Sequence, residues 1–414
     1  MKKRLCVMVL LVVGISLGLY GPSTSWAQAK GPIKVGFIAP FSGAMSATGK
    51  DMLNGLQLYL EEIGYTAAGR KIELISEDDE AVPATGLTKT RKLVEKDGVH
   101  IMTGGLMAST AYALAPYIDS KEIPMTYPLM AADDLTQRQR AKWIVRTGWN
   151  SSQPNHALGE YAYQVLKHRK VTVIALDYAF GWESAGGFQR TFEEAGGKVI
   201  QKIWIPLTVT DFSPYLAQIS KEADAVYVVF LGRSSLQFTK QYQEFGLKAK
   251  TPLLGGGTTT DEHVLPSMGD EALGIITTLH YSEAIDTPVN KKFVKAFREK
   301  AKKAASYYSE NCYTGTRWIV EAIKAINGDV ENRQKFMEAL RKVELKDVPR
   351  GPLKLDDYGN PIQNVYIRKV ERVGGELQNT VIYTYPNVSQ FWKYKPEEFL
   401  KQPVYSRDYP PLKP

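Results

Sequence analysis

The sequence has very little cysteine. Its 414 residues include two, Cys6 and Cys312, and Cys6 lies in an N-terminal segment that we expect to be removed. The mature chain therefore cannot form an intramolecular disulfide, which excludes a disulfide-stapled scaffold. We interpret the remaining thiol as a small buried hydrophobic group rather than a nucleophile.

Motifs of common hydrolases and metalloenzymes are also missing. None of the five histidines is spaced as an H-E-x-x-H metal pair. Beyond the N-terminal segment, the nucleophile pattern G-x-S-x-G does not occur. We therefore predict no catalytic residue, no metal site and no cofactor, and we expect that the protein is not an enzyme.

One stretch looks like a phosphate-binding loop but departs from its pattern. In "GAMSATGKD", five residues separate Gly43 from Gly49, where the phosphate loop has four. Asp51 follows Lys50, where that loop has a Ser or Thr that reaches the metal ion. A nucleotide site here is therefore disfavoured.

Concentrated positive charge and long apolar runs are absent from most of the chain. The formal net charge is +8, and it falls to +5 when the basic residues at positions 2–4 are removed. Lys and Glu alternate along most helical stretches, so no basic stripe indicates a nucleic-acid partner. After the N-terminus, no apolar run is long enough to span a membrane.

The N-terminus has the pattern of a secretory signal peptide. Three basic residues precede the apolar stretch "LCVMVLLVVGISLGLYG", and small residues follow at the spacing of a cleavage site. We predict cleavage after Ala27 or Ala29. The mature protein is then exported to the periplasm, without insertion into the membrane.

Short apolar runs alternate with amphipathic helical patterns from residue 33 onward. Strands are predicted at "IKVGFIAPF", "KIELISEDDE", "HIMTGGL" and "IPMTYP", and a second series at "KVTVIALD", "KVIQKIWIP", "DAVYVVFLG", "TPLLGGG" and "GIITTLHYS". Helices are predicted between them, including one at about 212–222. This alternation is typical of α/β folds with parallel sheets. Ligands of such folds bind beyond the carboxyl ends of the strands.

Several segments, taken in order, resemble one family. They are "IKVGFIAPFSGAMSATGKDMLNGLQLYLEEI", "RKIELISEDDEAVPATGLTKTRKLVEKDGVHIMTGG", "IPMTYPLMAADDLTQ", "RTGWNSSQPNHALGEY", "DYAFGWESAGGF" and "GDEALGIITT". Over roughly residues 33–370 the chain is similar to the leucine/isoleucine/valine-type periplasmic solute-binding proteins of ABC transporters. The resemblance implies a type I periplasmic binding protein that delivers a small ligand to a permease in the inner membrane.

The resemblance also implies a domain organisation. Two Rossmann-like lobes, joined by a hinge of three crossings, would close over a ligand cleft. The boundaries would be a signal peptide at 1–27, lobe I at 28–148 and 279–350, lobe II with a hinge crossing at 149–278 and 351–380, and an extended tail at 381–414. Ser42, Gly43 and Gly49 would shape a loop at the cleft rim, and the first helix would follow Gly49.

Family members that bind α-amino acids use residues that this chain does not match. The Ser and Thr that hold the ligand carboxylate fall on Ala108, or Ser109 after a one-residue shift, and on Ala131. The acidic residue that holds the ammonium group falls on Gly257, with Asp261 or Glu262 close by in sequence. A buried ammonium without an anion costs several kcal/mol. We therefore expect a ligand that is not an α-amino acid.

An aromatic or other apolar carboxylate is the ligand that we prefer. Arg233, at the end of a predicted strand, offers a bidentate partner for a carboxylate, and aromatic residues gather in neighbouring loops. The predicted ligand-binding residues are Ser42, Thr48, Met107, Ala108, Ser109, Tyr127, Leu129, Met130, Ala131, Tyr178, Phe180, Trp182, Arg233, Gly257, Tyr281 and Tyr308. Two alternatives stay open, namely a receptor for branched-chain amino acids, amides or urea, and a sensory module that serves a signalling partner.

Overall fold

The computed structural model describes residues 30–413, so the predicted signal peptide lies outside the described residues. Within this range two β-sheets form, with helices in the connections between their strands. The predicted α/β class is therefore confirmed. No helix of the described residues combines the length and the hydrophobicity that crossing a bilayer demands.

The first sheet uses strands from the N-terminal part of the chain. Its order is β2-β3-β1-β4-β5-β6, and all neighbours after β3 pair in parallel. The strands are β1 (Ile33–Ala39), β2 (Thr66–Ala67), β3 (Arg70–Asp78), β4 (Ile101–Gly104), β5 (Met125–Tyr127) and β6 (Ile144–Arg146). Parallel pairing brings the carboxyl ends of β1, β4, β5 and β6 to one edge.

The second sheet has the order β12-β13-β14-β11-β10-β9-β7-β8, and β15 pairs with β14. The strands from β7 to β11 are parallel, and the later ones are antiparallel. They are β7 (Lys170–Leu176), β8 (Lys198–Ile205), β9 (Ala225–Val229), β10 (Leu253–Gly256), β11 (Ile276–Leu279), β12 (Glu344–Leu345), β13 (Leu353–Leu355), β14 (Pro361–Val373) and β15 (Glu376–Val388). β9 is buried along its whole length, as expected for a strand covered on both faces.

Eleven α-helices of the described residues lie between the strands or follow the last strand. They are α1 (Ser46–Glu62), α2 (Pro83–Arg91), α3 (Ala108–Lys121), α4 (Gln153–Gln164), α5 (Ala179–Glu194), α6 (Ser213–Leu216), α7 (Arg233–Glu244), α8 (Pro288–Ala301), α9 (Tyr307–Ala325), α10 (Arg333–Lys342) and α11 (Pro396–Leu400). The long α9 packs along α1, so residues far apart in the chain share one layer. Ser306 caps α9 by accepting a hydrogen bond from the Ser309 amide.

Two helix predictions were wrong in their bounds. The first helix begins at Ser46, and Gly49 lies inside it rather than before it. The helix expected at about 212–222 is only the turn of α6. Its continuation is lost because the Gln201 side chain on β8 accepts from the Ser220 amide and donates to the Gln218 carbonyl. Backbone groups that bond to a side chain in this way are not available to extend the helix.

The residues after β15 pack over α4 and α5. Phe391, Phe399 and Tyr405 form a small core of their own. The Tyr405 hydroxyl lies 2.9 Å from Nε2 of His156 in α4, and burial lowers the pKa of His156 to about 3. The imidazole is therefore neutral at physiological pH, and it ties this segment to the helix without adding a buried charge.

Gly49 provides a test of the packing of α1. A Cβ atom there would overlap the carbonyl group of Pro40, which is backbone and cannot turn aside. Gly49→Ala should lower the free energy of unfolding by about 1–3 kcal/mol through overpacking, although Ala is the better helix former. Urea unfolding measures the change. The exposed neighbour Lys50 is the control, since Lys50→Ala should stay within about 0.5 kcal/mol of the unsubstituted protein. A Gly49→Ala variant of equal or higher stability would contradict the prediction.

Candidate ligand-binding site

A small cavity lies where the carboxyl ends of strands from both sheets meet. Its walls come from the connections after β4, β5, β6, β7, β9 and β10, and from the start of α9. The lining residues are Leu106, Met107, Ala108, Leu129, Ala131, Trp149, Tyr178, Phe180, Leu231, Thr258, Tyr307 and Tyr308. This is the place where open α/β sheets bind their ligands. The cavity measures about 20 Å³, which is enough for about one water molecule.

Uncharged side chains make the walls of this cavity. Among residues 30–413, no Asp, Glu, Lys, Arg or His lines it. Burial raises the pKa of the phenols of Tyr178, Tyr307 and Tyr308 above the ordinary value. These phenols therefore stay protonated. Those of Tyr307 and Tyr308 are hydrogen-bonded to each other, and the phenols of Tyr178 and Tyr308 can donate a hydrogen bond to a ligand. The site combines apolar walls with neutral polar groups.

Trp149 is the central aromatic residue of the site. Its ring makes edge contacts with Phe180 and with Tyr307, both at 5.8 Å between centroids, and it lies 5.5 Å from the ring of His280. Its Nε1 is buried, and among the described residues this donor has no hydrogen-bond partner. A buried N–H without an acceptor is costly, so Nε1 is a candidate donor to a ligand.

The N-terminus of α3 meets the cavity at Met107 and Ala108. Met107 is the N-cap residue, and its side chain makes no capping hydrogen bond. The first amide groups of a helix have no partners within it, and the helix dipole adds partial positive charge there. This end of the cavity is therefore suited to an anion, although no cationic side chain of the described residues lines it.

Seven of the predicted site residues line this cavity within the described range. They are Met107, Ala108, Leu129, Ala131, Tyr178, Phe180 and Tyr308. All of them lie in segments that follow a strand or begin a helix, where the sequence placed the cleft.

The other predicted site residues lie elsewhere. Arg233 begins α7 and is exposed, so its guanidinium is not part of the cavity wall. Trp182 donates from Nε1 to Asp177 at 2.9 Å, and the Tyr127 hydroxyl lies 3.4 Å from the carbonyl oxygen of Ala111. The remaining ones neighbour the site or lie outside it, without lining the cavity: Ser42, Thr48, Ser109, Met130, Gly257 and Tyr281.

The set of predicted site residues omits Leu106, Trp149, Leu231 and Thr258, which line the cavity. It also omits Tyr307, although Tyr307 is one of the aromatic residues expected in the cleft-facing loops. The Trp149 position had a signal, because "RTGWNSS" was one of the segments that carried the resemblance. The strand before it, β6, has three residues, which is too short to show a period of two in the sequence. The cleft position of Trp149 therefore became visible only in the structure.

Arg368 lies behind the cavity wall beside Gly257, the position at which the resemblance implies an acidic residue in receptors for α-amino acids. It donates from Nη2 to the Gly257 carbonyl at 2.7 Å and from Nη1 to the Tyr281 carbonyl at 2.8 Å. Glu262 lies 3.7 Å from Nη1. Burial lowers the pKa of Arg368, and the nearby Glu262 and Asp261 act in the opposite direction.

Asp261 does not supply the missing carboxylate of the cavity. Its Oδ1 accepts from the His263 amide at 2.8 Å, and its Oδ2 lies 3.4 Å from the Tyr307 amide. Burial, followed by the neighbouring Glu262, raises the pKa of Asp261 well above its usual range. Neither Asp261 nor Glu262 lines the cavity, so within the described residues no carboxylate faces a ligand there.

Comparisons with known proteins agree with this architecture. The family model described as "Periplasmic binding protein" matches residues 32–376. Leu/Ile/Val-binding protein homolog 6 of Brucella melitensis is 31% identical over 378 residues, covering 89% of this chain and 95% of that protein.

Two solved structures are similar over most of the chain. One is a solute binding protein of an ABC transporter from Rhodopseudomonas palustris BisB5 in complex with 3,4-dihydroxybenzoic acid, with a TM-score of 0.83 and 32% identity. The other, from R. palustris, is in complex with benzoate, with a TM-score of 0.81 and 30% identity. Each alignment covers 87% of this chain and 98% of the other.

The pair of Arg368 and Glu262 allows a test of the layer behind the cavity. Arg368→Met should lower the free energy of unfolding by about 3–5 kcal/mol, because it leaves Glu262 as an uncompensated buried charge. Replacing both residues, as Arg368→Met with Glu262→Gln, should recover part of this loss. Urea unfolding of the two single variants and the double variant gives the coupling between the residues. A double variant as unstable as the sum of the single ones would show that the two do not interact.

Proposed function

This chain belongs to the family of periplasmic binding proteins, and we propose that it is the receptor that delivers a small aromatic carboxylate to an ABC import permease. The family consists of solute-binding receptors of ABC transporters rather than enzymes. The ligand is held in the cavity around Trp149.

The proposal rests on an aromatic cavity at the N-terminus of α3 that no charged side chain of the described part of the chain lines. The flat side chains of Trp149, Phe180 and Tyr307 can pack on an aromatic ring in edge or offset geometry. The amide groups at the start of α3 and the phenols can hold a carboxylate through hydrogen bonds. Hydrogen bonds to an ionised acceptor are roughly twice as strong as neutral ones.

The same cavity disfavours an α-amino acid. The ammonium group of such a ligand would be desolvated, and it would need a carboxylate partner. Gly257 offers none, while Asp261 and Glu262 are turned to the Tyr307 amide and to Arg368. An aromatic acid carries only the negative charge, which the N-terminal end of α3 accommodates.

The solved relatives support this choice of ligand class. The R. palustris proteins in complex with 3,4-dihydroxybenzoic acid and with benzoate are 32% and 30% identical to this chain. Their ligands combine a benzene ring with one carboxylate, which is the combination that the walls of this cavity suit.

Ligand capture in this proposal depends on movement of the two sheets. A cavity of about 20 Å³ is too small for a benzene ring, so the sheets must part to admit the ligand, and side chains of the wall must shift to hold it when the sheets close again. Residues from both sheets then contact the ligand, and closure follows because the ligand has more contacts in the closed state. The permease in the inner membrane would bind the closed form, on the periplasmic side to which the leader directs the chain.

Thermal unfolding of the mature protein tests the ligand class. The protein is unfolded and refolded to remove any bound molecule, and then mixed with benzoate, 4-hydroxybenzoate, leucine, isoleucine or acetamide. At a hundred times its dissociation constant, a ligand should stabilise the protein by about 2.7 kcal/mol. We expect stabilisation by the aromatic acids alone and recovery of each acid unchanged after incubation. Stabilisation by leucine or isoleucine alone would contradict the proposal.

A substitution at Ala108 tests where the carboxylate lies. Ala108→Asp places a negative charge at the start of α3, where it suits the helix but repels an anionic ligand. Ala108→Asn has nearly the same shape and no charge. We expect benzoate affinity to fall by at least about tenfold more in the Asp variant than in the Asn variant, as measured by calorimetric titration. Equal losses would show that the carboxylate binds elsewhere.

A further inference from the structure

Asp51, the residue that departs from the phosphate-loop pattern, is fully buried in α1 and contacts two basic side chains. Its Oδ2 lies 2.7 Å from Nδ1 of His263, and its carboxylate also pairs with Nζ of Lys303. We propose that the Asp51–His263 contact is a clasp that holds the two sheets together beside the cavity. The clasp rests on the proposed function, because it sets the affinity of a receptor that closes over its ligand.

The contact joins elements that belong to different sheets. Asp51 lies in α1, which follows β1 of the first sheet and packs along α9. His263 lies in the connection between β10 and β11 of the second sheet. Lys303 follows α8, and α8 packs against α1. The ion pair with Lys303 therefore stays within the helices α1, α8 and α9 that pack together. The contact with His263 instead joins these helices to the second sheet.

Burial makes this crossing contact dependent on closure. The side chain of Asp51 has no exposed surface, and a carboxylate removed from water needs partners. If the sheets moved apart, His263 would leave and water would take its place at Oδ2. The contact therefore stabilises the closed arrangement of the two sheets more than the open one. Such a difference is what shifts the equilibrium between the two arrangements.

The clasp is adjacent to the cavity without being part of its wall. The ring of His263 makes an edge contact with the ring of Tyr308 at 5.8 Å between centroids, and Tyr308 lines the cavity. Two residues before His263, Asp261 lies within 3.4 Å of the Tyr307 amide. His263 and Asp51 are therefore positioning residues, which act on the ligand through the aromatic wall.

A second contact between the layers limits the size of the expected effect. The Tyr112 hydroxyl in α3 donates to Glu183 in α5 at 2.8 Å. Because this contact remains when the clasp is broken, the sheets should not separate completely. We therefore expect a change of about tenfold in affinity, the scale on which loss of one charge-assisted hydrogen bond shifts an equilibrium.

His263→Phe is the variant that isolates the clasp, because it keeps an aromatic ring against Tyr308 and removes only the donor to Asp51. The dissociation constants for benzoate and 4-hydroxybenzoate should both rise about tenfold, with their ratio unchanged and with faster dissociation in stopped flow. His263→Asn, whose amide nitrogen takes the place of Nδ1, should recover most of the affinity. Lys50→Ala is the control, since Lys50 is exposed on α1 beside Asp51 and its replacement should leave both dissociation constants within about twofold.

Small-angle scattering of the ligand-free proteins separates the clasp from the ligand assignment. A radius of gyration larger for His263→Phe than for the unsubstituted protein supports the clasp. If the unsubstituted protein binds neither acid, the proposed function fails, and scattering alone decides the clasp, with identical curves overturning it. If the unsubstituted protein binds the two acids and the His263→Phe variant binds them with the same dissociation constants, the clasp is overturned. A changed ratio between the two acids would also overturn it, because His263 would then act on ligand chemistry.

Discussion

Among residues 30–413, charged side chains surround the cavity but do not line it, because a charge that faced this apolar space would lose its water without gaining a partner. Arg368 is bonded to backbone carbonyls and to Glu262 behind the wall. Asp51 is held between Lys303 and His263. The cavity itself keeps neutral donors, whose hydrogen bonds can be satisfied by a ligand of matching chemistry. This separation explains how a cavity can accept an anion without a cationic side chain in its wall.

A second buried network ties the aromatic wall to the segments that join the two sheets. Arg350 pairs with Glu310 at 3.4 Å and donates to the Thr147 carbonyl, two residues before Trp149. Asn311 accepts from Arg350 and from Nε2 of His280, whose ring lies against Trp149. Burial lowers the pKa of His280 well below its ordinary value, and the nearby Arg350 acts in the same direction. The imidazole is therefore neutral, and it connects the segment after β11 to the central residue of the site.

The choice of ligand depends on few positions within a frame that the family shares. Gly257 has no side chain, and its backbone carbonyl accepts a hydrogen bond from Arg368. In receptors for α-amino acids the resemblance implies an acidic side chain at this position, which would hold the ammonium group. Ala131 presents a methyl group to the cavity, at the position where the resemblance implies a threonine in receptors for α-amino acids. A Cβ atom at Gly257 would overlap the Thr278 carbonyl and the Leu279 side chain, so the connection after β10 in its present form excludes an acidic side chain at this position. Around this position the cavity wall is formed by aromatic residues, among them Trp149, Phe180 and Tyr307.

The sequence by itself determined the α/β class, the positions of most strands and the segments that carry the cavity, because these follow from local periodicity and from the shared edge of parallel strands. It also placed Ala108, Tyr178 and Phe180 at the cavity, through the resemblance and through their positions in the segments after β4 and β7. Packing decides where a side chain after a strand points, and the sequence does not show this. Arg233 was therefore expected in the cleft, whereas in the structure it lies exposed on α7. Arg368 reaches Gly257 across 111 positions, and His263 reaches Asp51 across 212. Only the tertiary structure decided these contacts, because partners so distant in the chain share no local pattern and meet only when the helices and sheets pack.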